Sequence, residues 1–345
     1  MAKTASTTFK DIMASLRNRQ FARVYLLSGE EEYFIDAIVK MLEENVVDPA
    51  DRDFNQTVFY GADAVIEEVA AAARQFPMMA PRRLVILKEA QALDRAKSQL
   101  EKLAPFMERP VDTTVFVVAY KGEALSGTSK LVKSAVKNDA VVFRSDRVKD
   151  YQIAPYIRDY CEARRLRIDE KAIRMLTEMQ GTELKKIFSE IDKIVVAEAG
   201  KVSVINDDLV ARHTGFNKDF NNFELSAALA DKNYPKAMQI VDYFSRSPKQ
   251  HPGIVTASLL FSFYSRLAIA LCLKDRSDAS IMAALKAKSP YAIKEIKTGM
   301  TRYSLRQAAL CVSAIRDYDT QAKGIGSTKD EYDLLRELVF RLVTV

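Results

Sequence analysis

The chain has 345 residues, 48% hydrophobic and 28% charged, which is apolar material for two or three cores and excludes a disordered protein. The net charge of +6 is lopsided: Lys/Arg and Asp/Glu balance at 33 each through residue 215, and the remainder holds 19 against 13. So mild an excess suits an occasional phosphate contact, not a free-standing DNA binder.

In chain order, "VYLL" (Val24 to Leu27) reads as a buried strand ending at Ser28-Gly29, and Phe34, Ile38, Met41 and Leu42 follow at helical spacing. Next come "QTVFYG" (Gln56 to Gly61), the helix "AVIEEVAAAARQF", "RLVILKEA" (Arg83 to Ala90) and a charged helix from Arg95 to Phe106. "TTVFVVAY" (Thr113 to Tyr120), a helix from Ser129 and "AVVFRS" (Ala140 to Ser145) complete the set. Five short β-branched runs separated by helices predict a mostly parallel sheet covered on both faces.

From Asp150 the strands are expected to stop and the text to be helical, with a break at Gly181 and a cap at Asn206. After Phe216 it is helical again, capped at Asn221 and broken at "SPKQHPG", "KSPY" and "KGIGST". The expected domains are therefore 1–148 (parallel α/β), 149–215 (small helical) and 216–345 (helical), an AAA+-like α/β plus all-α architecture.

In that architecture a strand, a glycine and a helix are the setting of a phosphate loop, G-x-x-x-x-G-K-[ST]. Here Gly29 is followed by Glu30, Glu31 and Glu32. Carboxylates suit a helix N-terminus but repel a triphosphate, and no lysine is present to neutralise one. The third strand places Lys88 and Gln91 where a metal-binding Asp and a His are usual, and an ammonium cannot hold Mg²⁺. The turn "GTELKK" offers Leu184, with Lys185 one position off, where a sensor arginine is usual. Three lapses point to an ATPase scaffold without its chemistry, hence no catalytic residue and no cofactor.

The segments "YLLSGEEEYFIDAI", "FPMMAPRRLVILKEA", "GTELKKIFSEIDKI", "FNNFELSAALADKNYPKAMQIVDYF" with "SPKQHPGIV", and "SPYAIKEIKTGMTRYSLRQ" resemble, in order, the delta subunits of bacterial DNA polymerase III clamp loaders, the Bacteroidetes type in particular. The resemblance implies a non-hydrolysing AAA+ relative with a C-terminal helical collar. Such a subunit binds the sliding clamp (beta) and opens one interface of the ring. It does so in a hetero-pentamer with ATP-hydrolysing subunits and delta-prime, on primer-template DNA. It implies that Met78 and Met79 form the apolar pair entering a pocket on the clamp, with Phe76 in support. Any enzyme label would then belong to the DNA-directed DNA polymerase holoenzyme. From the residues alone, Pro77 and Pro81 bracket two large apolar side chains that cannot both face a core, although one Met as a gap-filler is the blander reading. Arg82 and Arg83 read as a polar rim or a solvated strand start.

Lys286, Lys288, Lys294, Lys297, Arg302 and Arg306 with Tyr291 and Tyr303 make a basic, aromatic stretch. Lys294, Lys297 and Tyr303 are the candidate DNA contacts, by phosphate neutralisation and stacking, against the plainer reading of a solvated face with core tyrosines. Cys161, Cys272 and Cys311 give no disulfide framework or metal pattern; Cys272 and Cys311 read as core thiols, and His213 and His251 as structural. No apolar run is expected to span a membrane and the N-terminus is a poor signal peptide, so the chain reads as cytoplasmic. Two alternatives remain: a divergent AAA+ ATPase, and a helical nucleic-acid-binding protein.

Overall fold

The computed structural model describes residues 8–93, 99–215, 217, 219–287 and 290–345. The chain divides into two compact units, Met1–Ile153 and Ala154–Val345.

The first unit is built on five strands, β1 (Val24–Gly29), β2 (Gln56–Tyr60), β3 (Arg83–Lys88), β4 (Thr114–Lys121) and β5 (Val141–Ser145), paired in the order β2-β3-β4-β1-β5. Every pair is parallel, with Leu26 opposite Val118 and Val142, and Val85 opposite Phe116. All five runs expected from the sequence are strands. Helices cover both faces, so the central strands bury side chains of both parities. On one face Val24 and Leu26 of β1 join Val69, Val85, Phe106, Phe116 and Leu131 in one core, with Phe106 and Phe116 edge to face at 5.0 Å. The helix Glu32–Asn45 lies against β1, β4 and β5 through the stripe Phe34, Ile35, Ile38, Val39 and Leu42. Leu26 is fully buried, and truncating such a side chain to Ala costs about 2–5 kcal/mol.

The helix Asp150–Glu162 leads into the second unit, where the helices Glu170–Gln180, Leu184–Ala197 and Asp207–Thr214 follow. Of these three, the first ends at Gly181 in a left-handed conformation (φ +62°), and Asn206 caps the third by accepting the Leu209 N–H at 3.0 Å. The expectation that strands stop is corrected by a parallel pair, Arg167–Ile168 with Val204–Ile205. Two residues per strand are too few to leave a period in the sequence.

Asn222–Ala230, Tyr234–Ser245, Gly253–Cys272, Asp278–Ala284, Lys294–Arg302, Leu305–Ala322 and Glu331–Thr344 follow, sharing one core around Leu260, Tyr264, Leu267, Ile315 and Leu338. The helix Gly253–Cys272 is long and apolar enough by composition to cross a membrane, with mean hydropathy 1.7, which the sequence reading did not anticipate. It packs instead against Leu305–Ala322, with Leu260, Tyr264 and Leu267 in that core. Cys272, read as a core thiol, is exposed because the last helical turn carries it outward; Cys161 and Cys311 are buried.

Candidate functional site

Strands of one direction give the sheet of the first unit two chemically different edges. The C-terminal edge is where nucleotides bind in open α/β sheets, at the point where strand order reverses. Here that point is the end of β1, between β4 and β5. The link from β1 to the helix Glu32–Asn45 is only Glu30 and Glu31. Gly29 (φ +142°) passes so close to β5 that a Cβ would sit 2.0 Å from the Ser145 carbonyl oxygen. The Glu31 N–H donates to that carbonyl (3.2 Å), and the Ser145 hydroxyl donates to the Glu31 carbonyl (2.6 Å). The Glu31 carboxylate accepts the Tyr33 N–H at 3.2 Å and so caps the helix with a fixed negative charge. Glu30 and Glu32 are exposed beside it. A loop this short, with the Glu31 amide committed and its cap anionic, does not fit a triphosphate.

The rest of that edge is a cleft of about 470 Å³ between the helix and the ends of β3 and β4, and it is crossed by ion pairs. Lys88 binds Glu43 at 2.7 Å, and Lys121 binds Asp36 at 2.7 Å and Glu89 at 2.6 Å. Gln91 closes the set, donating to Glu89 (2.6 Å) and accepting the Lys121 N–H (3.0 Å). Burial pulls the Lys121 ammonium down, but its hydrogen bonds to Asp36 and Glu89 outweigh this and hold it above its ordinary value. Burial likewise pushes the Glu89 carboxyl up, and Lys121 and Gln91 bring it below the usual carboxylate range. Each of these carboxylates is thus paired with a lysine of the same chain. Among the described residues no group of three His, Cys, Asp or Glu could hold a metal ion.

At the opposite edge, the loop entering β3 carries Phe76, Met78 and Met79, exposed by 74%, 61% and 103%. Met79 sits at φ +53°, a left-handed conformation that costs a non-glycine residue about 1–2 kcal/mol. What holds the loop is Asn55, a residue the sequence reading passed over. Its fully buried side chain accepts the Met78 N–H at 2.7 Å and donates to the Met78 carbonyl at 2.9 Å, and also to Asp51 O at 3.1 Å. One amide therefore brackets Met78 by its backbone and leaves both methionine side chains to solvent.

Arg83 reinforces the same edge, donating to the Phe54 carbonyl (3.0 Å) and the Thr57 hydroxyl (3.1 Å). It is 8% exposed, so the reading of a solvated strand start is corrected for Arg83. Phe54, next to Asn55, adds another exposed ring. A lone Asn between "DRDF" and a strand gives no sequence signal for this role.

The other candidates lie in the second unit. Leu184 is the first residue of its helix and fully buried, a core position, with Lys185 exposed beside it. Tyr303 is 3% exposed; its hydroxyl donates to the Leu229 and Leu342 carbonyls (2.7 and 3.2 Å) and lies 3.2 Å from that of Tyr264. A ring so enclosed has no face for a base, which corrects the DNA contact expected of Tyr303. Lys297 is paired with Asp278 at 2.7 Å and Arg302 with Asp231 at 2.8 Å, while Lys294 is exposed. Lys288 and the side chain of Tyr291 lie outside the described residues. His213 pairs with Glu198 at 2.7 Å, and His251 stacks on Phe244 with ring centres 4.4 Å apart.

Comparison with known proteins places these features. Residues 25–145, which include both edges of the sheet, match the family model described as DNA polymerase III, delta subunit. The DNA polymerase III subunit delta of Bacillus subtilis is 26% identical over 96% of each chain. The probable subunit delta of Aquifex aeolicus is 22% identical over 64% of this chain and 63% of its own. Among solved structures, the Bacillus subtilis DNA clamp loader delta protein superposes with a TM-score of 0.52 at 23% identity, covering 98% of this chain and 100% of that one. Residues 25–145 thus match a DNA polymerase III delta-subunit domain, and the chain resembles such a subunit over 96% of its length.

Proposed function

We propose that this chain binds the sliding clamp through the Met78–Met79 loop, with Phe76 in support, and opens the ring for loading onto primed DNA. The observation that carries this reading is an apolar pair held out in solvent by a buried Asn55 at the start of β3. Exposed apolar side chains on a fixed backbone favour a partner, because little conformational freedom is lost on docking. Methionines suit the task, being able to fill an irregular pocket.

The chain does this without hydrolysing ATP: the Lys88–Glu43 and Lys121–Asp36–Glu89 pairs occupy the cleft where nucleotide chemistry would need free carboxylates. Residues 1–148 would form the clamp-binding domain, 149–215 a small helical domain and 216–345 the collar. Ile254, Phe261 and Ile269 stand at helical spacing on one face of the helix Gly253–Cys272 and are exposed. That face is suited to ATP-hydrolysing subunits and delta-prime in a hetero-pentamer. Primer-template DNA would meet the collar through exposed bases such as Lys294, and the complex would act in the cytoplasm.

The test is a titration against the sliding clamp of the same organism, without ATP, for wild type and Met78→Ala/Met79→Ala. Two central anchors lost should cost at least ~2 kcal/mol, roughly thirtyfold in affinity. Equal binding by both would overturn the site, and ATP hydrolysis by the isolated chain would overturn the non-hydrolysing role.

A further inference from the structure

Next to the methionine loop, at the same edge of the sheet, lies a second cavity of about 430 Å³. Its wall includes Arg19, Gln20, Phe21, Tyr25, Arg82 and Val141. Arg82 follows Met79 by three residues, so their Cα atoms are at most about 11 Å apart.

Side-chain stacking places one donor of this pocket and backbone geometry another. The Arg82 guanidinium sits over the Phe21 ring, 5.2 Å from its centre, a stacking that orients the fork. Arg19 is placed by the end of the helix Phe9–Arg17: its N–H donates to Leu16 O (3.0 Å) and the Gln20 N–H to Ser15 O (2.9 Å). This is the 6→1 and 5→2 closure that usually ends on glycine, yet Arg19 takes the left-handed position (φ +55°). Neither Arg19 nor Arg82 has an ion-pair partner among the described residues, whereas Arg23 nearby is paired with Asp112 at 2.9 Å.

The independent indication is Tyr25. It is 2% exposed and lines the cavity, and its hydroxyl oxygen accepts the Ala22 N–H at 3.0 Å. Its own proton finds no acceptor among the described residues. A buried O–H donor and two uncompensated guanidinium groups around one cavity lack an acceptor with negative charge, and a carboxylate answers both needs.

We propose that this pocket receives an acidic side chain of the same partner that the Met78–Met79 loop engages. The inference rests on the clamp-binding reading above. The methionines supply apolar anchoring; the arginine pocket fixes the orientation in which they enter and raises the rate of encounter.

The experiment titrates the full chain against the sliding clamp, without ATP, from low to high salt. It compares wild type, Arg19→Gln/Arg82→Gln and Met78→Ala/Met79→Ala, with melting curves as a check on folding. The arginine variant should bind roughly tenfold more weakly at low salt and show a shallower salt dependence, with an unchanged melting point. The methionine variant should lose affinity at every salt concentration while keeping the wild-type slope. If the arginine variant matches wild type in affinity and slope while the methionine variant fails, the pocket assignment is overturned and the clamp reading stands. If the arginine variant weakens and the methionine variant does not, the pocket stands and the methionine loop is misplaced. If wild type does not bind the clamp, both fall together.

Discussion

Replacing Asn55 by Ala separates the support of the methionine loop from its contact surface. The amide makes three hydrogen bonds, to Met78 N, Met78 O and Asp51 O, from a fully buried position. At a net 0.5–1.5 kcal/mol each, with water free to reach part of the exposed loop, the loss is about 2–3 kcal/mol. For a unit of this size each kcal/mol moves the melting point by roughly 2–4 °C, so a drop of about 4–12 °C is expected. Clamp affinity should fall as well, by about five- to tenfold, because a loosened loop must be ordered again on binding. Met78→Ala/Met79→Ala should behave oppositely, melting like wild type and binding far more weakly. Asn55→Asp should be worse than Ala, since it turns a buried carboxylate toward two carbonyl oxygens. Thermal unfolding and a clamp titration on the same samples decide the matter. If Asn55→Ala melts and binds as wild type does, the loop is held by something else and the reasoning fails.

Lys121→Met leaves Asp36 and Glu89 without their cation and should lower stability at neutral pH. In wild type, Glu89 has its pKa lowered and Lys121 raised, so their contribution is complete between the ordinary values of 4.5 and 10.5. It is lost as pH falls through the depressed carboxyl value or rises through the elevated ammonium value, and denaturation of wild type and variant from about pH 3 to 12 should show the gap closing at both ends. Glu178, whose carboxyl takes the Asn222 backbone and side-chain N–H groups at 2.8 Å each, is pushed up by burial to about 7. The folded state then holds a proton that the unfolded state releases above 4.5, so stability should fall by up to about 2–3 kcal/mol as pH rises from 5 to 8. Glu178→Gln should flatten that part of the urea-midpoint profile, and an unchanged slope would refute the assignment. Tyr303→Phe removes the hydroxyl's bonds to the Leu229 and Leu342 carbonyls and should cost about 0.5–1.5 kcal/mol in denaturant titrations, with DNA binding by the chain unaltered; weaker DNA binding at full stability would restore the stacking role.

The sheet was legible because its strands are long, β-branched and buried on both faces, and the five expected runs coincide with β1 to β5. The caps at Asn206 and Asn221 were legible for the opposite reason: they are local, one side chain and an amide three residues on. What the sequence hid depends on contacts between distant segments. Asn55 meets Met78 from 23 residues away and Arg83 reaches back to Phe54 across 29, and neither pairing leaves a periodic trace. Tyr303 was misjudged because basic neighbours suggested a surface, whereas helix geometry turned the ring inward and sent Lys297 and Arg302 to acidic partners. Cys272 erred the other way, since an apolar neighbourhood does not say which side of the last turn faces out.

The two edges of the sheet are energetically independent. From Arg83 to Lys88, β3 spans about 16 Å, beyond the range at which substitutions without shared partners usually couple. The ion-paired edge and the methionine edge share no residue among the contacts that hold them. An edge held by its own ion pairs can therefore change its charges without moving the loop at the other end. The physical consequence is additivity. Lys121→Met combined with Met78→Ala/Met79→Ala should lower stability by the lysine effect alone and clamp affinity by the methionine effect alone, each within about 0.5 kcal/mol. A larger coupling would mean that the charge network sets the pose of the loop through the body of the sheet. The decayed nucleotide edge would then still govern the partner-binding one.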